Sequence, residues 1–280
     1  MCAAVSPKRF RTALVLGGGG AVGLSWLAGL VSGLDAAGVD LRVADRFVGT
    51  SAGAVVAAVL AGDGDLGRLL RPASDRAPAV SPRVSFAQMF APLREPALDL
   101  AQARRKVGEL ALAAEAGDPG DHVARMAALI GTSQWPPRDL VVTAVDITTG
   151  ARQGWTRDGA ASLAQALASS TSVPGVFPPI PIQGRHYIDG GIGSPINADL
   201  AAGAEVIVIV EPLAHMFSHL PADSELGEAT TVSLVPDTEA IAAIGADVFN
   251  PAALAPAYAA GVRQSADAAT LLKSHGWPAR

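Results

Sequence analysis

Short apolar runs and small-residue turns alternate through the first part of the chain. Thr12 to Leu16 is an apolar run bounded by basic residues and glycine, as expected of a buried strand. Leu24 to Ala37 then carries apolar residues at helical spacing (Leu24, Leu27, Leu30, Val31, Leu34), and Gly38 supplies a stop. Phe47-Val48 reads as a second strand and Gly49 to Gly53 as a tight turn. Ala54 to Ala61 reads as a fully buried helix ending at Gly62. Strand, turn and helix, repeated, predict a βαβ unit on a parallel sheet.

The texture changes from Asp63 to Asp139, which holds more charge, several prolines and two helical stretches near 97–116 and 121–130. This region is expected to be a helical insertion packed on one side of the sheet. Strand character returns at Leu140 to Ile147 and at Gly154 to Thr156, and Ser162 to Ser170 has helical character. Prolines 174, 178, 179 and 181 predict an extended, rigid loop leading into His186-Tyr187-Ile188. Glu205 to Val210 and Thr231 to Val235 complete the strands, and a mostly helical tail runs from about 237 to 280. With no repeat and no low-complexity linker, residues 1–280 are expected to form one α/β domain with the insertion at about 63–139.

The uncharged stretch Ala13 to Leu34, preceded by Lys8, Arg9 and Arg11, has some of the look of a signal or transmembrane segment. Its four consecutive glycines argue otherwise, each costing about 1 kcal/mol relative to Ala inside a helix. The strand–turn–helix parse is the better one, and a cytoplasmic location is expected. A net charge of -5 and the lack of a basic run give no footprint for nucleic acid. Cys2 is the only cysteine, so neither a disulfide framework nor a thiolate metal site is expected. His215 and His219 form an i, i+4 pair with no acid at motif spacing, and no metal is expected there.

Two glycine-bearing turns carry the candidate chemistry. Gly18, Gly20 and Gly23 fit G-x-G-x-x-G, which suits either a dinucleotide phosphate or backbone amides aimed at a reacting carbonyl. A dinucleotide site needs an acid about twenty residues on, at the end of the second strand. Asp40 and Asp45 keep that reading open, but the strand runs into Gly49-Thr50-Ser51-Ala52-Gly53. That pentapeptide is G-x-S-x-G between a strand and a helix, the setting of a nucleophile elbow. A serine hydroxyl needs a base. His215, His219 or His275 would complete a triad, and Asp189 in Tyr187-Ile188-Asp189-Gly190-Gly191 would complete a dyad. Taken locally, Asp189-Gly190 reads first as a turn between strands.

The ordered combination resembles the patatin-like phospholipase family: a glycine-rich strand-to-helix loop, then G-x-S-x-G, then D-G-G far downstream. Asp146 to Gly150 (D-x-x-T-G), Ala168 to Pro179, Pro195, Asn197 and Gly203-Ala204-Glu205 extend the resemblance, which covers about 12–212. It implies a three-layer α/β/α fold with a mainly parallel central sheet. It also implies a lipid acyl hydrolase acting on phospholipid, lysolipid or neutral acyl esters, without metal, nicotinamide or flavin. Ser51 would be the nucleophile and Asp189 the general base. The amides of Gly18, Gly19 and Gly20, with Ala52, would form the oxyanion hole, and Gly23, Gly49, Gly53, Gly190 and Gly191 would support the motifs. Any membrane contact would be transient and at the surface. A fold of this family kept as a non-catalytic scaffold is the remaining alternative. Val22 stands where the family usually has Lys or Arg, which favours a neutral ester or lysolipid over phosphate-bearing lipids. Phe86, Met89, Phe90 and Leu93 would either line an acyl pocket or pack in the core, and packing is the better reading.

Overall fold

The computed structural model describes residues 10–70 and 86–278. Cys2, Lys8, Arg9 and prolines 72, 78 and 82 lie outside the described residues. The first half of the fold alternates β1 (Phe10–Leu16), α1 (Gly20–Ala36), β2 (Arg46–Gly49) and α2 (Ala52–Ala61). The helical region follows with α3 (Phe86–Phe90), α4 (Leu100–Ala113) and α5 (Pro119–Ile130). Then come β3 (Asp139–Asp146), β4 (Arg152–Trp155), α6 (Leu163–Ser170), β5 (Ile180–Ile182) and β6 (Arg185–Asp189). The chain closes with β7 (Ala204–Val210), β8 (Thr230–Leu234), α7 (Thr238–Ile244) and α8 (Leu254–Ser274).

The eight strands form one sheet in the order β5-β6-β3-β2-β1-β7-β8, with β4 also on β3. Five neighbouring strands, β3, β2, β1, β7 and β8, run parallel. β4 and β6 run antiparallel to β3, and β5 antiparallel to β6. Apolar runs such as LVVTAV serve this sheet because both of its faces are covered. In β3, Leu140, Val142 and Ala144 face a core shared with α1, α2, α6 and α8. Val145, on the opposite face, packs with Val107 and Ala111 of α4. In β1 and β7, Leu14, Leu16, Val208 and Val210 face the first core, while Ala13, Val15, Ile207 and Ile209 face a smaller one. The result is an α/β fold with a mainly parallel central sheet flanked by helices.

Two local outcomes differ from the sequence reading. The proline-rich loop is not wholly irregular: Ile180-Pro181-Ile182 is an edge strand paired with β6. Pro181 is tolerated because its position is exposed at the end of the sheet order, where a missing N–H costs no ladder bond. Gln183 and Gly184 both take positive φ and close a two-residue hairpin, without the Asn-Gly or Asp-Gly signal of such turns. The uncharged stretch from Ala13 divides into β1, a glycine turn and a buried α1. No helix among the described residues is long and apolar enough to cross a membrane.

Register brings two chain segments to one place. Leu16 pairs with both Gly49 and Val210, so β1, β2 and β7 end level at the carboxyl edge. Gly49 lies opposite Val142 of β3, and Asp189 opposite Ala144, two residues further on. The turn after β2 and the end of β6 therefore meet at the same edge.

Candidate active site

Ser51 stands at the N-cap of α2 with φ 53° and ψ -122°, a backbone that L side chains rarely adopt. Such a conformation costs on the order of 1–3 kcal/mol and persists only where neighbours hold it. Here the Ser51 N–H donates to Ser170 Oγ at 2.9 Å, and the Gly53 N–H donates to the Thr50 carbonyl at 2.9 Å. The turn lifts Ser51 Oγ to within 2.6 Å of Asp189 Oδ2. The other carboxylate oxygen of Asp189 accepts the Gly191 N–H at 2.7 Å.

Both side chains are buried. Burial pushes the Asp189 carboxyl up to about 7, against partial opposition from its hydrogen bonds with Ser51 and Gly191. A carboxylate at that value can take a proton near neutral pH, which one at its ordinary value does poorly. The arrangement can thus move a proton from a serine hydroxyl to a neighbouring carboxylate.

The glycine loop faces this pair, with Gly18 lying against Ser51 so that a Cβ on it would sit 3.6 Å from Ser51 Cβ. The Gly18 N–H is engaged by the Pro195 carbonyl at 3.0 Å, so Gly18 is not a free oxyanion donor. Within the described residues, the N–H groups of Gly19, Gly20 and Ala52 have no hydrogen-bond partner. Gly20 and Ala52 are the first residues of α1 and α2, so two helix N-termini converge beside Ser51. Their dipoles favour negative charge at that point.

Several residues have holding roles that sequence reasoning did not assign. Ser170, the last residue of α6, and Ser172 just after it bridge the pair: Ser170 Oγ receives the Ser51 N–H, and the Ser172 carbonyl receives the Asp189 N–H. Asn197 Nδ2 donates to Thr50 Oγ1 at 3.0 Å, Thr50 meets Thr143 at 2.9 Å, and Thr143 Oγ1 donates to the Gly49 carbonyl. That relay fixes the elbow to β3. Arg104 of α4 is buried and donates to the carbonyls of Ile192, Gly150 and Gly193, clamping the turn that follows Asp189. The available signals were the resemblance over Ala168 to Pro179 and at Asn197, which carried no role, and an arginine on an otherwise amphipathic helix.

The competing readings meet specific obstacles. Asp45 bonds Thr12 and Arg11 at the amino end of β1, and Asp40 caps a short turn. Both acids precede β2, on the edge away from the glycines, where they cannot hold a ribose beside them. His219 pairs with Glu211, and His275 faces the Leu271 carbonyl. Neither these nor His215 hydrogen-bonds Ser51 or Asp189 within the described residues. Val22 is buried in the main core. Met89 is buried, and Phe90 and Leu93 pack with Ile188 and Ile192 under the Asp189 turn. The side chain of Phe86 lies outside the described residues.

This is an α/β protein holding a serine on a strained strand-to-helix turn against a buried carboxylate. The family model for patatin-like phospholipase matches residues 14–202, more than half of the chain, and the chain belongs to that family. At the level of the family it is a lipid acyl hydrolase. Among solved structures it is similar to VipD from Legionella pneumophila, with 15% identity and a TM-score of 0.48. That match covers 96% of this chain and 67% of VipD. It is also similar to the type III effector protein ExoU, with 18% identity and a TM-score of 0.36 over 95% of this chain. The chain spans 54% of the ExoU chain. No curated protein sequence matches it.

Proposed function

We propose that the protein cleaves carboxylic esters of lipids through an acyl-enzyme, with Ser51 as nucleophile and Asp189 as general base. The observation carrying this reading is the 2.6 Å contact between Ser51 Oγ and the buried Asp189 Oδ2. Asp189 accepts the hydroxyl proton as Oγ attacks the ester carbonyl. The amides of Gly19, Gly20 and Ala52 receive the oxyanion, and Gly18 serves to bring the loop close. Collapse of the tetrahedral intermediate expels the alcohol, which takes the proton from Asp189. Water then gives a proton to Asp189, attacks the acyl-Ser51 ester and frees the fatty acid, while the Ser51 alkoxide recovers that proton. A fluorophosphonate probe tests the assignment: it should label Ser51 in wild type and label nothing in Ser51→Ala. A folded wild-type protein that resists the probe would instead support the non-catalytic scaffold.

The raised carboxyl also makes opposite predictions for rate and stability as pH changes. The base works only when ionised, so kcat/KM for a soluble ester should rise with pH and level off above about 7. Stability runs the other way. The folded protein holds the Asp189 proton more tightly than the unfolded chain, whose carboxyl titrates near its ordinary value. That contribution is complete at pH values below the unfolded value and is lost as pH rises through about 7. Thermal melts of wild type and Asp189→Asn should therefore diverge with rising pH, with the Asn variant the more stable at pH 8. Parallel melting curves across this range would count against a raised Asp189.

A further inference from the structure

The loop after β7 holds two adjacent large apolar side chains in solvent. Met216 and Phe217 are 41% and 50% exposed, although the segment that carries them is firmly attached on both sides. On one side Leu213 is buried, and its carbonyl receives the N–H groups of Met216 and Phe217. Pro212 lies against the glycine loop, where a Cβ on Gly19 or Gly23 would meet its ring carbons at about 3.0 Å. On the other side His219 Nε2 meets Glu211 Oε2 at 2.7 Å, and Glu211 is itself buried at the end of β7. A loop pinned at both ends that leaves about half of two large apolar side chains at its tip in solvent is not explained by packing alone.

Its position matters more than its exposure. β7 ends level with β1 and β2, so the tip projects from the sheet edge that holds Ser51. β8 ends at the same edge, with Leu234 opposite Val210, and the next residue, Val235, is 43% exposed. Three exposed apolar side chains thus rise from the edge at which a lipid ester has to arrive. The segment from Glu211 to Leu220 contains no lysine or arginine, and the chain as a whole carries a net charge of -5. The segment itself therefore offers no lysine or arginine to an anionic surface.

We infer that Met216 and Phe217, with Val235 at the same edge, form an anchor that inserts into a zwitterionic phospholipid surface and seats the Ser51 edge on it. This inference rests on the reading of the protein as a lipid hydrolase. The transfer is hydrophobic: burying two such side chains in the acyl boundary supplies on the order of tenfold or more in binding per side chain.

The test uses the full chain with Ser51→Ala, so that binding is read without turnover, and phosphatidylcholine vesicles in a flotation assay. Ser51→Ala protein should float with the vesicles, and raising salt from about 0.05 to about 0.5 M should leave the bound fraction unchanged. Adding Met216→Ser and Phe217→Ser should lower binding at least about tenfold, while a control change at Leu112, exposed on α4, should not. Met216→Ser/Phe217→Ser in the Ser51-intact protein should hydrolyse a monomeric short-chain ester at the wild-type rate, which shows that it folds. Failure of Ser51→Ala to float, undiminished flotation of the triple variant, or binding abolished by salt would each overturn the anchor. Vesicle binding with no ester turnover in wild type would sink the hydrolase reading and leave the anchor standing.

Discussion

Asp189→Asn is expected to lower ester turnover by about 10⁴-fold, and Ser51→Ala by at least as much, with neither change unfolding the protein. The two losses should not multiply. Ser51 Oγ and Asp189 Oδ2 form one 2.6 Å unit, so removing either member leaves the other without a task. The double variant should retain about the same residual rate as the worse single variant, that residue coming from bound substrate and the oxyanion amides. Asn at 189 keeps the volume and can still accept the Gly191 N–H that Asp189 accepts. What it lacks is basicity, so kcat should fall with KM nearly unchanged. Steady-state rates on a soluble ester, with circular dichroism to establish folding, check all three variants. Multiplicative losses would mean that Ser51 and Asp189 act in separate steps. An Asp189→Asn enzyme within tenfold of wild type would place the base elsewhere, and Glu211 with His219 would be the next pair to test.

The core of this site was readable because each part is a local constraint written in adjacent residues. A G-x-S-x-G turn needs small residues at fixed offsets, and β1, α1, β2 and α2 announce themselves through apolar period and glycine punctuation. The weaker inference was Asp189, since an Asp-Gly pair equally marks a hairpin. Only its company in the chain, as a resemblance, singled it out. The roles of the holding residues were not legible for a different physical reason. Ser170, Ser172, Asn197 and Arg104 act through single hydrogen bonds to backbone far away in sequence, and such bonds leave no periodic trace. Gly18 shows the same limit at finer grain. The glycine run advertises free amides without revealing that those of Gly17 and Gly18 are taken by Val210 and Pro195, partners far along the chain. Strand β5 was missed because prolines weigh against strands, a rule that relaxes at an edge.

Gly53→Ala should be the most damaging single methyl that the molecule can receive at this site. A Cβ on Gly53 would lie 2.1 Å from the Leu16 carbonyl oxygen, 2.4 Å from its carbon and 2.6 Å from the Gly17 carbonyl oxygen. All three atoms are backbone, fixed by the Leu16 pairings with Gly49 and Val210 and by the Gly17 N–H bond to Val210. No rotamer change relieves the clash; either β1 separates from α2 or the elbow opens. Either movement carries Ser51 away from Asp189 and disturbs the Gly19 and Ala52 amides together. Overpacking of this kind costs about 1–3 kcal/mol where neighbours can yield, and more where they are backbone. Stability should fall by more than that range, and a displacement of about 1 Å at the nucleophile should by itself reduce turnover about 10²-fold. Gly38→Ala supplies the contrast. Nothing lies within 4 Å of its added methyl, and only the positive φ of 77° opposes it, at about 1–2 kcal/mol. Urea denaturation should therefore rank Gly53→Ala far below Gly38→Ala in stability, and only Gly53→Ala should lose activity in the protein that remains folded. Equal behaviour of the two would mean that the contact between α2 and the end of β1 is not what holds Ser51 in its strained turn.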